Sequence, residues 1–168
     1  MRFLSIIALT CILMFVGCSK KDEKFYQNAA KESLQKQDIP AAVASYEKIA
    51  EKFPDSPAAS EALYDIGRIY QNKMDKNVEA NASLLKAIDY FQKIVQKYPK
   101  SKEAPTALFM TGFIQANELK NYDAARNSYN QFLKDYPQHE MAVAAKQELD
   151  FMGISPDEII SKKLAGKK

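Results

Sequence analysis

Few side chains in this sequence carry reactive chemistry, and their spacing limits what they can do. His139 is the only histidine and stands beside Glu140 at a predicted helix start. One imidazole cannot supply the i, i+4 pair of a helical metal site, and no signature serine motif surrounds it. Acidic pairs such as Asp22/Glu23, Glu47/Glu51 and Asp157/Glu158 have the right groups for acid–base work. They fall, however, on the polar faces and first turns of amphipathic helical patterns, where solvation and the helix dipole account for them. The glycines are too sparse for a phosphate-binding loop. The expectation is therefore no enzyme, no metal site, no cofactor and no small-molecule substrate.

Cys18 invites a different chemistry. Arg2 precedes an apolar run from Phe3 to Val16, and Gly17 follows it. That is the layout of a secretory signal, and the run is shorter than the roughly 20 apolar residues of a membrane-spanning helix. The tetrapeptide Phe15-Val16-Gly17-Cys18 resembles a bacterial lipobox, with Phe15 in place of the usual leucine. The resemblance implies cleavage after residue 17, lipidation (palmitate among the acyl groups) of Cys18, and a membrane anchor. Cys11, the other cysteine, lies inside the discarded segment, so the mature chain keeps no thiol for a disulfide, a nucleophile or a metal. Ser19 after the cysteine implies, by the sorting rule of such lipoproteins, the outer membrane facing the periplasm.

Losing Arg2 from 24 basic residues leaves 23 against 21 acidic ones, a net charge of +2. That balance offers no clustered basic face for nucleic acid. Lys162, Lys163, Lys167 and Lys168 crowd the C-terminus and read as a solvated tail.

Helices must position whatever function remains. Only Gly67, Gly112, Gly153 and Gly166 follow the signal, and apolar residues recur at spacings of three and four without sustained alternation. An aromatic-proline pair closes three such patterns: Phe53-Pro54, Tyr98-Pro99 and Tyr136-Pro137. An alanine stands twelve residues before each proline (Ala42, Ala87, Ala125), with an aromatic four residues on (Tyr46, Phe91, Tyr129) and a large apolar residue three beyond that (Ile49, Ile94, Phe132). Upstream, Ala62-Leu63-Tyr64 with Gly67 matches Ala107-Leu108-Phe109 with Gly112 at an offset of 45. Glycine inside a helix costs about 1 kcal/mol relative to alanine, so its return predicts a close approach of paired helices. Fixed offsets in three places mark an internal repeat.

These residues resemble the tetratricopeptide repeat over about Glu23 to His139. The resemblance implies an all-α fold, a right-handed α-α superhelix of about three helix pairs with C-terminal capping helices. The boundaries expected are 1–17 signal, 18–24 lipidated cysteine and linker, 25–139 repeats (about 25–56, 57–101 and 102–139), and 140–168 cap and Lys-rich tail. Gly67 to Ala87 spans seven residues more than Gly112 to Ala125, which predicts an extra turn on both helices of the middle repeat. Ser56 and Ser101 are expected to cap the helices that follow them, Gly153 to end a capping helix begun at Glu140, and Ser155 with Glu158 to open a last short helix.

In this repeat family the first helix of each pair lines a concave groove that grips a peptide or a protein. Carried over by position, the partner-binding groove presents Gln27 and Lys31, then Tyr64, Arg68 and Gln71, then Phe109, Phe113 and Ala116. The phrasing FPDSPAASEALYDIGRIY and YPKSKEAPTALFMTGF is similar to two families, the tetratricopeptide-repeat lipoproteins of the β-barrel-assembly machine and the repeat module of the Tol-Pal cell-division coordinators. The first carries the lipid but more repeats; the second has a like number of repeats but no lipid. The function implied is a non-catalytic, lipid-anchored adaptor for protein–protein interaction in the cell envelope, in outer-membrane protein assembly or in division. An accessory subunit or enzyme of peptidoglycan remodelling is the alternative.

Overall fold

A computed structural model describes residues 22–155, 157 and 158. The signal, Cys18 and the Lys-rich tail lie outside the described residues. Within them the chain is all-helical, without a strand: α1 (Glu23–Gln35), α2 (Ile39–Lys52), α3 (Pro57–Gln71), α4 (Ala80–Lys97), α5 (Glu103–Phe113), a π-helical segment (Ile114–Glu118), α6 (Tyr122–Asp135) and α7 (Ala142–Phe151). Helices α1/α2, α3/α4 and α5/α6 form successive pairs, and α7 packs on α6. This is the all-α, tetratricopeptide-like arrangement expected.

The repeated aromatic-proline pairs act as helix stops. Phe53, Tyr98 and Tyr136 cap α2, α4 and α6 with almost one backbone conformation, φ −130 ψ 52, φ −129 ψ 50 and φ −131 ψ 52. A residue before proline is pushed out of the α region by the ring, which fixes where each helix ends. Each aromatic carbonyl then accepts from the N–H three residues on, Ser56, Ser101 and His139, at 3.0, 2.9 and 3.1 Å. The turns inside each pair share a device too. Gln37, Lys73 and Lys120 have φ of 60, 53 and 55, left-handed conformations at the position where a helix-ending glycine is common.

Gly67 and Gly112 provide the predicted close approach. A Cβ on Gly67 would overlap the Phe91 ring carbons, and one on Gly112 would lie 3.0 Å from the Tyr129 ring. Phe91 is fully buried and lies against Tyr64, ring centroids 5.5 Å apart, so it has little room to withdraw. Gly67→Ala is expected to lower stability by about 1–2 kcal/mol, because overpacking outweighs the gain in helix propensity. Urea unfolding measures this, and Phe91→Leu in the same chain should restore the midpoint. A midpoint that stays put or rises in the single variant means the ring gives way freely.

Two expectations change. The extra residues of the middle repeat do not lengthen both helices. Helix α3 has 15 residues, no more than α5 and the π segment together, whereas α4 has 18 against 14 in α2 and α6. One turn goes to α4 and the rest to the connection 72–79, where Glu79 caps α4 by accepting from the Asn81 and Ala82 N–H groups. Ser101 does not cap α5. Ser56 is extended (φ −83 ψ 143) and its Oγ accepts from Ala58 N at 3.1 Å, because Pro57 excludes the helical conformation before it. Lys102 places no such restriction on Ser101, whose buried Oγ has no hydrogen-bond partner. Helix α5 starts at Glu103 without a side-chain cap.

The repeat continues into α7. Counting 38 residues from Ser101, Ala107 and Gly112 reaches His139, Ala145 and Asp150. His139 does what Ser56 does: its Nδ1 accepts from Met141 N at 3.2 Å. Ala145 is fully buried like Ala107. Where Leu108 and Gly112 are buried under their partner helix, their counterparts Lys146 and Asp150 are exposed. Helix α7 is thus the first helix of a fourth unit whose pairing face has become charged. Gly153, with φ +75, turns the chain after it, and Ser155 and Glu158 exchange the hydrogen bonds of a capping box at 3.2 and 3.4 Å.

Candidate functional site: the hollow between the first helices

A small hollow of about 280 Å³ separates α1 from α3, lined among others by Gln27, Lys31, Tyr46, Glu61 and Asp65. It exists because α1 and α3 both put polar residues on the face turned away from their pairing partners. Lys31 and Glu61 are exposed, Gln27 and Asp65 half-buried. Tyr46 reaches it from α2, where its phenol and the Asp65 carboxylate are near enough to influence each other. Burial, then the neighbouring Asp65 charge, pushes the Tyr46 phenol up to about 12. Burial also raises the Asp65 carboxyl, against the Tyr46 phenol and the charges of Arg68 and Lys31, which lower it. Arg68 therefore stands in the same electrostatic environment, exposed on α3.

The expected groove residues divide into two sets. Gln27 and Lys31 line the hollow, and Tyr64, Arg68 and Gln71 continue from it along α3, Tyr64 half-buried with its phenol raised by burial. Phe109 belongs instead to the core. It is only 9% exposed, with ring centroids 5.4 Å from Tyr129 and 5.8 Å from Phe132. Phe113 packs partly against the same cluster. Ala116 lies at a different opening, of about 540 Å³, between the π segment and the end of α7.

The sequence marks Tyr46 as a repeat aromatic and not as a groove residue, and it does not mark Glu61 or Asp65. Their signal is a spacing: Asp65 follows Tyr46 by 19 residues, Glu148 follows Tyr129 by 19, and between them Phe91 is followed at the same distance by Met110. A tyrosine at the repeat aromatic goes with a carboxylate on the next first-type helix, and a phenylalanine goes with an apolar residue. The Tyr129 hydroxyl is buried without a hydrogen-bond partner, and burial and the Glu148 charge both raise it.

The groups with catalytic potential are committed elsewhere. Glu47 accepts from the Tyr90 hydroxyl at 2.5 Å, Glu51 pairs with Lys48 at 2.9 Å, and His139 is a helix cap. Among the described residues no cluster of histidine, cysteine and carboxylate side chains could hold a metal ion, and no helix is long and apolar enough to cross a membrane. Residues 19–153 match the model of a protein family described as YfiO, outer membrane lipoprotein. No curated protein matches the chain.

Proposed function

We propose that this chain, which belongs to the YfiO family of outer membrane lipoproteins, is a non-catalytic adaptor on the periplasmic face. It is held there by acyl groups on Cys18 and grips an envelope protein or peptide along α1 and α3. The observation that carries this reading is the hollow where Gln27, Lys31, Glu61 and Asp65 meet. These are side chains of both charges and an amide, two exposed and two half-buried, facing a surface that no helix among the described residues covers. Such a lining suits an extended polypeptide, whose backbone amides and carbonyls offer donors and acceptors at every residue. Tyr46, buried on the second helix of one pair, meets Asp65 on the first helix of the next within this lining, and a lining held by packed helices reduces the ordering cost of binding.

A photo-activated crosslinker placed at Lys31 or Arg68 in intact cells tests it, with Lys93 on the surface of α4 as the control. Adducts with an envelope protein are expected from the first two positions and not from the third. Equal adducts from all three, or none from positions 31 and 68, would sink the groove as the binding site.

A further inference from the structure

Helix α1 starts at the end of the molecule that bears the turns between pairs. Tyr26, in the first turn of α1, lies 6.3 Å from Phe53, the cap of α2, measured between ring centroids. Only three residues lie between Cys18 and Asp22, where the described chain begins, so the four steps reach about 14 Å when fully extended. If Cys18 carries the anchor, as the proposed function holds, this end faces the lipid.

The three turns at this end differ in charge. The first, 52–56, balances Lys52 with Asp55, and the third, 134–140, sets Lys134 against Asp135 and Glu140. The second, Lys97-Tyr98-Pro99-Lys100-Ser101-Lys102, carries three lysines and no acid. Lys97 and Lys100 have no carboxylate partner among the described residues, and Lys102 reaches Glu103 and Glu61 only at 3.5 and 4.0 Å. Glu103 itself is buried and accepts from Ser60 Oγ at 2.9 Å. At the opposite end Lys36 is tied to Glu32 at 2.6 Å and Lys73 to Glu118 at 3.0 Å; Lys76 and Lys120 there have no carboxylate partner among the described residues, but they stand in separate turns rather than in one. The free lysines also rim an opening of about 420 Å³ floored by Pro57, Tyr98 and Pro99, with Asp55 as its one exposed acid.

We propose that the 97–102 turn is a membrane-contact site, in which Lys97, Lys100 and Lys102 bind the phosphates of anionic phospholipid headgroups while Tyr98 and the prolines meet the interface. Juxtamembrane lysines are drawn to an anionic surface within a Debye length, and aromatic side chains favour the headgroup level. A tether on its own leaves the domain free to tumble; this second contact fixes its orientation, with the hollow between α1 and α3 held at a set angle to the bilayer.

The test uses the full-length lipidated protein reconstituted in phosphatidylcholine vesicles with and without phosphatidylglycerol, the lipid carrying a headgroup nitroxide quencher. A fluorophore is attached at Gln96→Cys beside the turn or at Asn72→Cys at the opposite end, both exposed positions. Quenching at position 96 should exceed that at position 72 severalfold when phosphatidylglycerol is present. Lys97→Glu/Lys100→Glu or high salt should abolish the excess, with circular dichroism unchanged. Equal quenching at the two positions, or no dependence on phosphatidylglycerol while the protein stays vesicle-bound, overturns the contact site and leaves the anchor intact. Protein that binds neither vesicle overturns the anchor and the contact site together.

Discussion

Ala87→Glu unfolds the domain. Ala87 is fully buried in α4, within the cluster that includes Phe91, Ile94 and Ile66, and that cluster holds no cationic group to pair with a carboxylate. An unpaired charge forced into such a site costs several kcal/mol, comparable to the whole stability of a domain of this size. The position magnifies the effect. In a repeat array each unit is held by its neighbours, and α3 and α4 join the first pair to the third, so melting them leaves two single pairs with half-exposed cores. Thermal unfolding followed by circular dichroism should show either no cooperative transition or one far below that of the parent chain. Ala82→Glu, at an exposed site on the same helix, should melt like the parent. If Ala87→Glu also does, the packing of α4 described above is wrong.

Cys18→Ala moves the protein out of the membrane fraction. Under the proposed lipidation, the acyl chains on Cys18 hold the protein at the bilayer; among the described residues no helix is long and apolar enough to cross one. Each buried methylene contributes about 0.8 kcal/mol, and losing every chain at once leaves only the weak electrostatic contact of the basic turn. Made behind a secretory signal whose removal does not depend on the cysteine, the variant should be entirely soluble on cell fractionation with blotting, folded, and lighter in mass by the missing acyl groups. A variant that stays membrane-bound after a high-salt wash rules out Cys18 as the anchor.

The parts of the fold legible in the sequence are those that local sterics dictate. Proline after an aromatic excludes the helical conformation wherever it occurs, so Phe53, Tyr98 and Tyr136 end three helices alike. A ring needs space, so Gly67 and Gly112 sit opposite Phe91 and Tyr129. What escaped depends on competition between near-equal alternatives. Seven surplus residues can lengthen helices or form a connection; Glu79, able to cap α4, shifted the division toward the connection. The same serine caps one helix and not the next because Pro57 follows Ser56 and Lys102 follows Ser101. At the site, helix position pointed to Gln27 and Lys31, which line the hollow between α1 and α3. It misplaced Phe109, because the face a first-type helix turns to the groove is decided in part by the size of the rings behind it. Tyr46 and Asp65 are invisible one at a time and become a signal only as a pair.

The charged outer face of α7 sets the valency of the protein. Open helical arrays can lengthen by stacking on copies of themselves, a hazard that a lipid tether aggravates by confining molecules to two dimensions at high surface density. Here Lys146 and Asp150 stand where leucine and glycine would have to be for another helix to dock. A copy meeting this end would have to strip water from both charges with no partner offered in return, a cost that burial of so small a face does not offset. Docking a further helix on α7 would therefore mean burying Lys146 and Asp150, which opposes growth of the array at that end.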